Sequence, residues 1–268
     1  FHIEKLGLES AKIQGQGRLL KQMSAYFRCL MKTPIIFLSF IAIIFSINTS
    51  WSQPGSLPNA ANSMLQGEAG VNYNITNSSG EKEGAWIRVW PNGSLYYKGE
   101  FSNGKPEGNF LYFYETGELM SALEHGTNEI TAIHYRIKGS VQASGGYLPA
   151  QAEEDPVRNG AWAFFDENSL QRRLETYSAG ELDGEYWVKD YQGMLVEEGA
   201  YWNNLKHGVW TTYYDNGTIR QRINYLNGEL EGSFISYHPN NIPKIKGHYL
   251  DGKEDGSWKT YADSGELE

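Results

Sequence analysis

Cysteine is nearly absent from this chain: Cys29 is the only one. A disulfide framework is therefore excluded, and so is a thiolate metal site anywhere downstream of it. A basic excess is missing as well. Residues 53–268 carry 17 Lys and Arg against 30 Asp and Glu, a net of −13. Acidity of that size repels phosphate backbones and argues against a nucleic-acid partner. With no basic amphipathic stretch beside it, it also argues against a membrane-surface role. Catalytic signatures are lacking too. There is no nucleophile elbow, no phosphate-binding glycine loop and no zinc-ligand spacing, and His125, His134, His207, His238 and His248 are scattered. Acidic pairs such as Glu153/Glu154 and Glu197/Glu198 would serve glycoside hydrolysis only across a cleft that holds two carboxylates about 5–10 Å apart. No catalytic residue, cofactor or metal is expected.

Long apolar runs are scarce, with one exception. Residues 34–47 are uncharged and apolar, follow Met31-Lys32, and precede Ser50-Trp51-Ser52 and Gln53. Positive flank, apolar run and small-x-small site make a secretory signal, and the run is shorter than the roughly 20 residues that span a bilayer. The reading is a signal peptide over 31–52 cleaved near Ser52-Gln53, an upstream segment 1–30 outside the mature protein, and export to the periplasm, the outer surface or the medium. Residues 53–83, rich in Asn, Ser, Gly and Gln, read as a linker, with an irregular strand at 70–76.

What is abundant is glycine, 30 residues, and aromatic rings, 14% of the chain. Together they suit short strands and tight turns better than helices. They are also periodic. A Gly followed two residues later by a ring occurs at Gly84/Trp86, Gly108/Phe110, Gly160/Trp162, Gly184/Tyr186, Gly208/Trp210, Gly232/Phe234 and Gly256/Trp258. The steps are 24 residues, except for 52 between Gly108 and Gly160. A fixed period of this size is the mark of a repeat architecture, and these glycines and rings are its expected anchors.

Each unit reads as a hairpin. A first strand runs from the ring (86–90, 110–114, 162–166, 210–214) into a turn such as Pro91-Asn92-Gly93 or Asp215-Asn216-Gly217, where Gly and Asn tolerate positive φ. The second strand carries an aliphatic residue (Leu95, Leu119, Leu195, Ile219), often a Gly (Gly99, Gly199, Gly247), then a ring (Phe101, Tyr177, Tyr201, Tyr225, Tyr249). A further turn follows at Gly104, Gly180, Gly228 and Gly252. A mid-strand Gly is costly unless something packs closely on it; a ring from a neighbouring strand is expected there. The 52-residue step holds one degenerate unit at 130–159, with an exposed acidic loop at 149–159. The predicted fold is all-β: an elongated single-layer antiparallel meander of about eight hairpins over 84–268, the last cut off at Glu268. At about 4.8 Å per strand it would be roughly 75 Å long, stabilised by nearest-neighbour contacts.

The motif Gly199-Ala200-Tyr201 followed by Lys206-His207-Gly208-Val209-Trp210 resembles the MORN repeat, whose core is Tyr-x-Gly followed by Gly-x-x-His-Gly. Only Gly208 is preceded by His; the other anchors follow Glu, Asp or Asn. The 24-residue period, with Trp or Phe where the standard repeat often has Gly, is closer to the MORN repeat variant. Bacterial proteins of that variant are often named YwqK-type toxin–antitoxin antitoxins. The resemblance covers about 84–268. It implies an extended single-sheet scaffold that binds protein partners or lipids.

Neighbouring strand residues point to opposite faces. Doubled aromatics therefore offer one ring to the ladder and one to a partner, a use for which Tyr and Trp are favoured. The candidates are Tyr96, Tyr97, Tyr112, Tyr114, Trp202, Tyr213 and Tyr214. The functional expectation is an exported, monomeric, non-enzymatic scaffold that binds a protein partner in the envelope or outside the cell. The alternatives are an antitoxin or immunity protein and a glycan-binding surface protein.

Overall fold

The computed structural model describes residues 70–149 and 155–268. The segments read as upstream sequence and signal peptide, most of the linker, and Glu153/Glu154 of the acidic loop lie outside the described residues. Sixteen strands form one antiparallel sheet in strict sequence order, with no helix among the described residues. They are β1 (Ile75–Thr76), β2 (Lys82–Val89), β3 (Leu95–Ser102), β4 (Lys105–Phe113), β5 (Leu119–His125), β6 (Ile130–Tyr135), β7 (Val141–Leu148) and β8 (Val157–Phe165). The sheet continues with β9 (Gln171–Ser178), β10 (Glu181–Lys189), β11 (Leu195–Trp202), β12 (Leu205–Tyr213), β13 (Ile219–Leu226), β14 (Glu229–Tyr237), β15 (Pro243–Leu250) and β16 (Lys253–Thr260). Every substantial contact between strands is made by sequence neighbours. The single-layer hairpin meander expected from the period is the fold.

The two turns of a unit differ in kind. Asn103-Gly104, Ala179-Gly180, Asn203-Asn204, Asn227-Gly228 and Asp251-Gly252 join strands with both residues at positive φ, the backbone that matches strand twist in a two-residue hairpin. The Pro91-Asn92-Gly93 turn is wider. Trp90 N donates to Ser94 O at 2.8 Å and Gly93 N to Trp90 O at 2.9 Å, while Asn92 Oδ1 accepts from Ser94 N at 2.9 Å.

The first strand of each unit begins earlier than the sequence suggested. It runs through the anchor glycine instead of starting after it: β12 starts at Leu205 and contains Gly208. The reason is a bulge. Glu198 faces Thr211 and Ala200 faces His207, so three residues of β12 lie opposite Gly199 alone. Gly208 takes φ 73° to allow this, a conformation that carries little penalty only for glycine. On its other edge β12 pairs with β13 straight through Gly208. The linker also ends sooner than expected, since Lys82 and Glu83 belong to β2.

The bulge swings the ring two residues after the anchor onto the preceding unit. A Cβ at Gly99, Gly145, Gly199 or Gly247 would come under 3.0 Å from Phe110, Trp162, Trp210 or Trp258 respectively. The ring two residues beyond each glycine completes the nest in all four. Phe101, Tyr147, Tyr201 and Tyr249 stand edge-on to Phe110, Trp162, Trp210 and Trp258 at 5.2, 4.9, 5.0 and 5.1 Å. Trp162 is thereby 0% exposed and Trp210 2% exposed in a sheet with no second layer. The core is assembled one ring at a time.

The anchors are not all equivalent, and the uniform pattern read from the spacing is corrected at Phe234 and Tyr186. Neither has a glycine beneath it: Phe234 pairs with Ile223 and Tyr186 with Glu175. With a side chain in that place, the ring cannot lie on bare backbone. The bulge moves by one residue, so that Glu231, Gly232 and Ser233 lie opposite Asn224, and Phe234 takes an ordinary ladder position. Phe234 and Tyr186 are consequently only half-buried. Phe234 packs instead toward the following unit, edge-on to Tyr249 at 6.0 Å and tilted on Trp258 at 5.3 Å.

The degenerate unit departs from this plan for a visible reason. Ile130 pairs with Tyr147 as Gly208 pairs with Tyr225, so a β-branched residue stands at the anchor position. Without glycine there is no bulge, and β5 pairs with β6 in continuous register. The position of the ring is taken by Ala132, buried against Ala143 and Trp162. Of the expected loop, Val157, Arg158 and Asn159 are strand instead, paired with Leu148, Tyr147 and Gly146.

Candidate binding surfaces

The face that carries the stacked rings also gathers cations over them. Lys82 Nζ lies 4.9 Å from the centre of Trp86, the Arg158 guanidinium 4.7 Å from Trp162, and Lys206 Nζ 3.7 Å from Trp210. Each stands two residues before its anchor glycine. Sequence reasoning passed over these three, although their common spacing was there to be read. Cation–π contacts of this kind contribute about 0.5–2 kcal/mol, and they spend the charge within the sheet. Lys206 also holds Glu197 at 3.0 Å. Glu175, which replaces the glycine opposite Tyr186, is likewise neutralised locally. Its carboxylate accepts from Tyr177 Oη at 2.6 Å and sits 3.3 Å from Arg173.

A second polar group was also missed. Ser121 Oγ, His134 Nδ1, His134 Nε2 and Tyr147 Oη form a chain at 2.8 and 3.1 Å, with the imidazole stacked on Trp162 at 5.8 Å. Burial, then the nearby Arg158 charge, lowers the His134 pKa below the ordinary imidazole value. The serine and histidine are placed like a nucleophile and base. They sit on a continuous ladder, however, with the imidazole flat on Trp162 and edge-on to Tyr147, and the chain serves the packing of the degenerate unit.

Along the edge with the wide turns, side chains reach across from one unit to the next. Trp90 Nε1 donates to Phe113 O at 3.0 Å, Tyr114 Oη to Tyr135 O at 2.7 Å, Tyr214 Oη to Tyr237 O at 2.7 Å, and His238 Nε2 meets Tyr261 O at 2.8 Å. In the middle units Arg136 and Arg172 take over, bonding Asp166 O and Asp190 O.

The seven aromatics singled out in the sequence do not come together on one surface. Tyr97 and Tyr112 pair across β3 and β4 on the ladder face beside Phe110. Tyr96 packs on Trp90 at 4.5 Å, at the mouth of a shallow hollow with Arg88 and Pro91. Tyr114 and Tyr214 are the turn-edge braces just described. Trp202 and Tyr213 lie on the opposite face. Trp202 is 43% exposed and meets His207 edge-on at 5.0 Å. Tyr213 donates to Glu198, and burial together with that bond pushes its pKa up to about 12. Leu205, paired with Trp202, and Val209 on β12, Leu226 on β13 and Leu250 on β15 are exposed as well. Trp202, Leu226 and Leu250 are 24 residues apart; the matching positions in β3 and β9 are Ser102 and Ser178.

A model of the MORN repeat variant matches residues 82–103, 206–227 and 230–251. These three stretches are similar to MORN-variant repeats. The matched stretches coincide with the hairpins β2–β3, β12–β13 and β14–β15, each starting two residues before its anchor glycine. Repeats of this type are protein- and membrane-binding motifs. No curated protein matches the chain.

Proposed function

We propose that these MORN-variant repeats form an exported, non-enzymatic scaffold that binds a protein partner in the envelope or outside the cell. The observation that carries the reading is the apolar row on the face opposite the ring ladder. Trp202, Leu226 and Leu250 recur in register and are left 43%, 50% and 48% exposed, with Leu205 and Val209 of β12 between the first two. Apolar side chains left exposed on one face mark an interaction site, and an exposed Trp at their margin suits the anchor of a protein interface. An immunity or antitoxin role would be one form of such binding, with an exported toxin as partner.

The test exploits the repeats themselves. The full chain is used as bait in an envelope extract beside a Trp202→Ser/Leu226→Ser/Leu250→Ser variant, which installs the residue that β3 and β9 already carry. One stoichiometric protein held by the parent and lost by the variant is the expected result. Retention of glycan or peptidoglycan fragments alone would overturn the protein-partner reading.

A further inference from the structure

The strands that carry this apolar row carry a second pattern, visible only once the faces are separated. On β13 that face reads Arg222, Asn224, Leu226; on β15 it reads Lys246, His248, Leu250. The order is the same in both: a cation, a polar residue, a leucine, while Arg220 and Lys244 are the extra residues of the bulges that precede them. Register places the cations side by side. Arg222 pairs with Ile235, Ile235 with Lys246, and Lys246 with Lys259 of β16. All three cations are exposed, and among the described residues none of them is in an ion pair. Equivalent positions elsewhere are Lys98 on β3, Ala122 on β5, Ser144 on β7, Leu174 on β9 and Glu198 on β11. Only in the last units do such cations stand in consecutive hairpins, in a region whose net charge over 53–268 is −13.

We infer that Arg222, Lys246 and Lys259 form a docking site for an acidic segment of a partner polypeptide, whose apolar side chains lie on Leu226 and Leu250. Size and charge select this occupant. From β13 to β16 the band is three strand spacings wide, roughly 15 Å, and a single row deep. That footprint suits a few carboxylates of one extended segment or one helical turn. A membrane plane or a nucleic-acid duplex is far wider. Either would also meet Glu185 and Glu198 beside the band and Glu229 and Asp255 at the short-turn edge, which register places on the same face. The Tyr261 ring centre lies 5.4 Å from Lys246 Nζ on this face.

This inference rests on the protein-partner reading but is tested apart from it. The full chain is titrated into a short fluorescein-labelled peptide of alternating Glu and Leu, read by anisotropy. The expected result is saturable binding that weakens as salt shortens the screening length. Affinity should fall at least about tenfold in Arg222→Glu/Lys246→Glu, whose side chains are exposed and outside the core, since reversing charge at a complementary contact turns attraction into repulsion. A neutral Arg222→Gln/Lys246→Gln pair should fall less, and Lys138→Glu, on the exposed β6–β7 turn, should bind like the parent. Equal binding by the charge-reversed variant overturns the proposal. So does salt-independent binding, or capture of phosphatidylglycerol vesicles or duplex DNA without the peptide. Should the charge-reversed chain still capture an envelope protein that the Trp202/Leu226/Leu250 serine variant loses, the partner reading stands and the basic band falls.

Discussion

Gly199 and Gly208 stand nine residues apart and are glycine for unrelated reasons, which substitution separates. At Gly199 a Cβ would run into the Trp210 indole, whereas at Gly208 nothing lies within 4 Å and the demand is the positive φ of 73°. Gly199→Ala should cost about 1–3 kcal/mol, the usual range for overpacking, and Gly208→Ala about 1–2 kcal/mol for a left-handed alanine. In a Trp210→Ala background the first cost should vanish and the second persist. Urea denaturation of the two double-mutant cycles reads the coupling directly; equal coupling in both would show that the ring does not require the glycine. At His134 the relevant variable is pH. Its folded pKa is lowered by burial and by Arg158, so as pH falls the unfolded chain takes up the proton first, near pH 6.5. Stability should therefore be full above about pH 6.5, drop as pH falls through that value, and level off below the folded pKa. His125 is lowered by burial as well and adds a slope of the same sign. His134→Gln should accordingly reduce, and not abolish, the loss of urea midpoint between about pH 7.5 and about pH 5.5.

At the scale of the element, a hairpin is fastened to the next by more than its ladder. Tyr214 donates to Tyr237 O, and Asn216 Nδ2 to Pro239 O at 3.2 Å, both across 23 residues. Tyr214→Phe keeps the ring and removes only the brace, so it should cost about 0.5–1.5 kcal/mol. Hydrogen exchange should quicken at the 238–242 turn of the next unit and stay unchanged at Gly93. The hairpins and the glycine-on-ring contacts were legible in the sequence because one turn chemistry and one spacing recur. Strand starts were not, because the bulge at the anchor glycine hides the residues before it: Leu205, Lys206 and His207 are paired strand although the ring pattern begins at Trp210. Phe234 shares that spacing and yet sits differently, because its seat depends on Ile223, a residue of the preceding strand. The degenerate unit was legible as an irregularity only. Its line of Ser121, His134 and Tyr147 depends on a register that Ile130 sets by lacking the bulge, and no spacing rule announces that. The basic band was hidden by averaging, since net charge sums both faces while a strand deals alternate residues to each.

For the molecule as a whole, stability is a chain of neighbour terms, because strands touch in sequence order and each buried ring is shared by two units. Trp210 makes the point. It lies on Gly199, meets Tyr186 at 5.3 Å, Tyr201 at 5.0 Å and Tyr225 at 6.5 Å, and donates from Nε1 to Ala200 O at 3.0 Å. All those partners belong to β10, β11 and β13, flanking its own β12. Trp210→Ala should cost about 3–5 kcal/mol in total, as buried aromatic truncations do. In a globular core such a loss would lower protection everywhere by lowering the global free energy. In a one-dimensional array it should open the interface it spans first. Amide exchange in the variant should then be fastest over β10–β13, intermediate over β14–β16, and close to the parent over β2–β5. A uniform increase across the sheet would mean that the units unfold together despite having no contacts beyond their neighbours, and the additive picture would have to be given up.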